Sequence, residues 1–116
     1  MKKIIILIPV FNDWESLIKL LKEINESIKG YNSVHFECLV VNDASTINQP
    51  NLVKPNNIKS LQILNMKKNK GHARCNAFGI RYVFKNKEFN NLILMDGDGE
   101  DRPIEIKNLV NEILKN

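Results

Sequence analysis

The chain has 116 residues, 43% of them hydrophobic and 26% charged, with a formal net charge of +4. That length and balance exclude a disordered, fibrous or multidomain protein and fit one small globular domain over residues 1–116. The basic residues are scattered, with Lys67, Lys68 and Lys70 the one tight group. They read as a solvated face that also suits a phosphate-bearing substrate, and nucleic acid is not expected as a partner.

Lys3 to Ile8 is a continuous run of β-branched residues and Leu, the pattern of a strand buried on both faces, and Pro9 is expected to end it. The run is too short to span a bilayer and lacks a small-residue cleavage site, so a cytoplasmic protein is expected, with a role at the inner face of the membrane left open. Asn12 with Glu15 three residues on reads as a capping box, and Trp14, Leu17, Ile18, Leu21, Ile24 and Ile28 recur at helical spacing until Gly30 stops the helix. Phe36 to Val41 is a second strand, leading into Asn42-Asp43-Ala44-Ser45. A polar loop precedes a short third strand, Leu61 to Leu64. A second helix is expected from His72 to Lys85, with Ala73, Ala77, Ile80 and Phe84 on its inner face. Leu92 to Met95 is a fourth strand. Pro103 suits the first turn of a last helix, with Ile106, Leu109, Val110 and Ile113 inward. Cys38 and Cys75 show no CxxC spacing and read as buried thiols of a reducing compartment.

Apolar strands alternating with helices argue for an α/β domain with a parallel sheet covered on both sides. In such sheets ligands gather beyond the carboxyl ends of the strands. Three polar clusters fall there: Phe11-Asn12-Asp13, Asn42-Asp43, and Asp96 to Asp101.

The last cluster, Asp96-Gly97-Asp98-Gly99-Glu100-Asp101, begins like a calcium-binding EF-hand loop. That loop needs Gly at its sixth position and Glu at its twelfth, where this chain has Asp101 and Lys107. The bland alternative has Asp101 capping the last helix and the other acids solvated. The sharper one is a divalent cation, Mg²⁺ or Mn²⁺, held by Asp96, Asp98 and Glu100, its shell completed by substrate phosphates, with Gly97 and Gly99 admitting a diphosphate close to the backbone. Asn69-Lys70-Gly71-His72 is either an anion site at a helix N-terminus or a plain helix start. His72 has no carboxylate, Ser or Cys partner nearby in sequence, which argues against a catalytic role. Asn12 and Asp13 suit a helix cap as well as a ligand site, and Asp43 suits an Asx-turn.

Together these pieces resemble family 2 glycosyltransferases of the GT-A fold. IPVFND resembles the family's P-x-Y-N-E, VVNDAS its V-D-D-G-S, and NKGHARCNAFGI its N-x-G-x-x-x-A-x-x-x-G-x. LMDGDGEDRP resembles the D-x-D-x-Q-D-P-P stretch of the polyprenyl-phosphate, dolichol-phosphate mannose synthase-like branch. The four motifs keep the family's order and cover nearly the whole chain.

The resemblance implies a Rossmann-like sheet and transfer of a sugar from a UDP- or GDP-sugar to a lipid phosphate or glycan. It implies that Pro9, Phe11 and Asp13 line the base and ribose, and that Val41 and Asp43 complete the base pocket. Gly71 and Gly97 lie at the nucleotide. Asp96 and Asp98 serve ribose, metal and diphosphate as the catalytic pair, with Glu100 a further metal ligand. Phe11 stands where the family has Tyr, Asp13 where it has Glu, Asn42 where it has a first Asp, and Arg102 where it has a first Pro. Family members continue past the acidic turn, so the chain resembles the N-terminal, nucleotide-binding half of such an enzyme. A non-catalytic nucleotide-sugar binding fragment is the alternative, and self-association through an exposed sheet edge is expected of either. A phospho-acceptor receiver domain fits less well, because it needs an acidic pair after the first strand and a Lys after a fifth.

Overall fold

The computed structural model describes residues 1–96 and 103–115. Its elements run β1 (Lys2–Val10), α1 (Trp14–Ser27), β2 (Val34–Asn42), β3 (Ser60–Asn65), α2 (His72–Asn86), β4 (Asn91–Leu94) and α3 (Pro103–Lys115). The four strands form one sheet in the order β3-β2-β1-β4, and every pairing is parallel. This is the α/β, Rossmann-like architecture expected.

Alternation along the strands builds two cores. Ile4, Ile6, Ile8 and Val10 of β1 join Phe36, Cys38 and Val40 of β2 with α1 and α3 on one face. Ile5, Leu7, Leu39 and Val41 point to the other face, where Cys75 and Val83 of α2 meet them. A central strand buried on both faces must be apolar at every position, which is why β1 shows no polar alternation. The two cysteines are buried and free, one in each core, with the sheet between them.

Several expectations need correction. Pro9 does not end β1: the strand runs to Val10. Leu7 accepts from Met95 N–H on the β4 side, so Pro9, two residues on, turns its nitrogen to that side beyond the last residue of β4 and costs no ladder bond. The cap of α1 is Asp13, whose Oδ1 accepts from Ser16 N–H at 3.3 Å, and not Asn12. The helix ends at Ser27, ahead of Gly30, which takes φ +94°.

The inner face of α2 is Cys75, Gly79 and Val83, whereas Ala73 is exposed and Phe84 is 69% exposed. The helix turns this way because Gly79 lets it press onto the sheet. A Cβ at residue 79 would stand 2.6 Å from a Leu7 methyl and 2.9 Å from a Val41 methyl. In α3, Ile106 and Val110 are buried and Ile113 partly so, but Leu109 is exposed.

At the amino end of the sheet, Glu37 is buried on the α2 face. Lys3 Nζ and His35 Nε2 each lie 2.9 Å from Oε2, and Lys87 Nζ lies 3.3 Å from Oε1. Burial pushes the Glu37 pKa up, but hydrogen bonds from Lys3, His35 and Lys87, with the Lys87 charge, together outweigh it and hold the carboxyl below its ordinary value. No helix among the described residues is long and apolar enough to cross a membrane.

Candidate functional site

The chain passes from β1 through α1 to β2 on one side of β1, and from β3 through α2 to β4 on the other. The direction of winding therefore reverses between β1 and β4, and the crevice at their carboxyl ends is where ligands bind in sheets of this kind. Phe11, 40% exposed, follows β1 at this point, and Asp96 follows β4.

Asp43, at the end of β2, is 1% exposed. A buried carboxylate needs donors, and here both oxygens have them. Lys70 N–H donates to Oδ1 at 2.8 Å and Gly71 N–H to Oδ2 at 2.9 Å, while Asn69 Nδ2 donates to the Asp43 carbonyl at 3.1 Å. Asp43 thus clamps the loop that opens α2. Gly71 takes φ +84°, a left-handed conformation suited to glycine, and has no side chain with which to cap the helix.

A second clasp joins the ends of β1 and β2. Asn12 Oδ1 accepts from Thr46 N–H at 2.7 Å and Ile47 N–H at 2.9 Å, and Asn12 N–H donates to Ser45 Oγ at 2.9 Å. Asn42 Oδ1 accepts from both the backbone and the hydroxyl of Ser45, at 3.0 and 2.6 Å. Asn12 and Ala44 adopt positive φ, 63° and 56°. Asn tolerates that region, but Ala44 sits there at a cost of about 1–2 kcal/mol, so strain is concentrated beside the crevice.

The expected site residues fall into three groups. Pro9 and Val41 are register partners and both are buried, forming the floor beneath the crevice. Asp43 and Gly71 are joined directly, and Asp96 stands at the end of β4. Asp13 is exposed and lies in the wall of a cleft of about 420 Å³ with Trp14, Ile18, Ile47 and Pro50, on the α1 side. Gly97, Asp98 and Glu100 lie outside the described residues.

The structure adds His72, whose Nδ1 lies 4.0 Å from Asp96 Oδ1, with both side chains about half exposed. No pattern in the sequence links residues 72 and 96; only the return of β4 beside β1 brings them together. Asn69 and Gly79 stood in the NKGHARCNAFGI motif without roles of their own, and the structure supplies them: one bonds a carbonyl and the other acts by having no side chain. Among the described residues no group of three or more His, Cys, Asp or Glu converges. Asp96 is the one described member of the expected metal trio, a hard oxygen donor of the kind Mg²⁺ and Mn²⁺ take.

A doubly wound parallel sheet with a polar crevice at its switch point defines a class of small-ligand-binding α/β domains. The family model for glycosyl transferase family 2 matches residues 5–116, and the chain belongs to that family. It is also 24% identical, over 112 residues, to an uncharacterized protein of Methanocaldococcus jannaschii. The match covers 94% of this chain and 46% of that protein, so the chain spans about half the length of this relative.

Proposed function

We propose that the chain binds the donor of a glycosyl transfer, a UDP- or GDP-linked sugar, in the crevice between β1 and β4. The observation that carries this is the convergence of Phe11, the Asp43-held loop at Gly71, and Asp96 at the carboxyl ends of three adjacent strands, in a chain of this family. Phe11 offers a ring face to the base. Asp43 acts on the base pocket through the loop it holds, because both its oxygens already accept amides. Asp13 serves the ribose from the α1 side.

The reading includes a divalent cation at Asp96, Asp98 and Glu100, which when bound neutralises charge on the diphosphate. An acceptor oxygen forms a bond to the anomeric carbon as the bond from that carbon to the diphosphate breaks, and the electron pair leaves with the nucleoside diphosphate. A polyprenyl phosphate is the acceptor we favour, because its oxygen is already ionised at neutral pH and needs no general base.

Calorimetric titration with UDP and GDP, with and without Mg²⁺ or Mn²⁺, tests this on the parent and on an Asp96→Asn/Asp98→Asn variant. Metal-dependent binding lost in the variant supports the reading. A folded parent that binds neither nucleotide overturns it. A second reading is donor binding without turnover. Sugar transfer to a short polyprenyl phosphate by this chain would exclude that alternative.

A further inference from the structure

Of the 17 Lys and Arg in the chain, nine lie between Ala44 and Lys87, and of the 13 Asp and Glu none does. The fold gathers much of this segment into one layer, the loop after β3 and the helix α2. Lys67, Lys68, Lys70, Arg74, Arg81 and Lys85 are all exposed there. None of the six forms an ion pair among the described residues, in contrast to Lys3 and Lys87, which Glu37 holds.

The orientation of α2 is fixed on two sides. Cys75, Gly79 and Val83 face the sheet, and the Tyr82 hydroxyl accepts from Gln62 Nε2 of β3 at 2.7 Å. At about 100° per residue, Arg74, Ala77, Arg81, Phe84 and Lys85 then point away from the sheet. Phe84 is 69% exposed between Arg81 and Lys85 in the last turn of α2, its ring edge-on to Phe89. Toward the start of the helix, a groove of about 400 Å³ has Met66 and Phe78 in its walls and Lys67, Lys68 and Lys70 around them.

We propose that this layer docks on an anionic phospholipid surface, its cations meeting lipid phosphates while Phe84 enters the interface and the Met66–Phe78 groove takes apolar lipid groups. A basic helix with an apolar residue on its outer face has the composition of an interfacial element, and each cation near an anionic surface strengthens binding about fivefold. A nucleic-acid duplex would also meet the cations, but its stacked bases leave the exposed phenyl ring and the apolar groove unused, which favours lipid. The lysines sit on the loop that Asp43 holds at the carboxyl end of the sheet, and Phe84 lies toward its amino end, so the docked layer runs along the α2 side of the domain.

The test is sedimentation of the full chain with phosphatidylcholine vesicles, with and without phosphatidylglycerol, at rising salt. It uses no nucleotide, so its failure is separate from failure of the donor reading. Binding is expected only to vesicles containing phosphatidylglycerol and should weaken with salt. Lys67→Gln/Lys68→Gln/Lys70→Gln should lower partitioning roughly a hundredfold, and Phe84→Ser about tenfold. The unfolding midpoint should be kept in the lysine variant and fall slightly in Phe84→Ser, which loses its ring contact with Phe89, so binding is measured at a temperature where both variants are folded. The proposal is overturned if phosphatidylglycerol makes no difference or if the lysine variant binds like the parent. It is equally overturned if an oligonucleotide displaces the vesicles while Phe84→Ser changes nothing.

Discussion

At the amino end of the sheet Glu37 is sunk to 8% side-chain exposure among Lys3, His35 and Lys87, whereas at the carboxyl end Asp96 is 46% exposed and stands 4.0 Å from His72. The first carboxylate has a partner on each oxygen, and its geometry is complete within the fold. The second stands at the mouth of a crevice whose walls are held from behind, by Asp43 on the α2 side and Asn12 on the α1 side. Acidic residues at the two ends of one sheet therefore stand in different settings, one closing the core and the other half exposed at the crevice where the donor is proposed to bind. Asp43 lies between these types: it is as buried as Glu37, yet what it fixes is the crevice wall.

Asp43 should thus give the largest effect and be the one position where stability and binding fall together. Asp43→Ala removes a buried carboxylate and leaves two part-buried amides without their acceptor, and urea unfolding should register a loss of about 3 kcal/mol. Nucleotide titration should show weakened binding in whatever fraction remains folded. Full binding in a destabilised variant would separate the loop from the site and break the link drawn here.

Gly79 carries the next effect. The Leu7 and Val41 methyls that a larger residue 79 would meet belong to fully buried side chains with nowhere to retreat. Gly79→Val should cost about 2–3 kcal/mol by overpacking. Gly79→Ala should cost less, because Ala recovers about 1 kcal/mol of helix propensity. A stabilising Gly79→Ala would show that α2 can lift off the sheet without penalty.

Glu37→Gln sharpens the comparison from the other end. It leaves Lys3 and Lys87 without their anion, but these side chains are 30% and 18% exposed and can turn to water, so the expected loss is about 1–2 kcal/mol. Nucleotide binding should not change. Because the native pKa of Glu37 lies below its ordinary value of 4.5, its contribution is complete above that pH and disappears as the pH falls through the native value. Acid unfolding of the parent should accordingly lose a component that is missing in the variant. Identical acid limbs would mean that the cluster is not what burial and pairing indicate.

What the sequence revealed follows the reach of each interaction. Strands buried on both faces must be apolar throughout, so β1 and β2 and the α/β order were legible. The sides of α2 were not, because apolar residues lie on two of its flanks and periodicity cannot choose between them. The choice is made by Gly79, which hydrophobic patterning ignores. The polar clusters at strand ends were legible as candidates because each follows directly on an apolar run. Their partners were not: Asp43 is satisfied by backbone amides of residues 70 and 71, which any sequence supplies, and His72 meets Asp96 only through strand order. The capping residue was misplaced by one because Asn12, at positive φ, turns its side chain to the loop after β2 and leaves Asp13 to face the helix.

The smallest stability effect is expected at Asp96, the half-exposed carboxylate that follows β4. Asp96→Asn keeps the shape of a half-exposed side chain and removes its charge. Substitutions at such positions stay within about 0.5 kcal/mol, so urea unfolding should hardly distinguish the variant from the parent. If Asp96 instead belonged to a structural pair with His72, the loss would approach that of Glu37→Gln and would vanish when Asp96→Asn is made in a His72→Gln background. Measuring these variants in one buffer decides the matter. A near-zero difference for Asp96→Asn beside a clear loss for Glu37→Gln would show that the contacts of Asp96 add little to folding, which is the outcome expected of the carboxylate proposed to meet the donor.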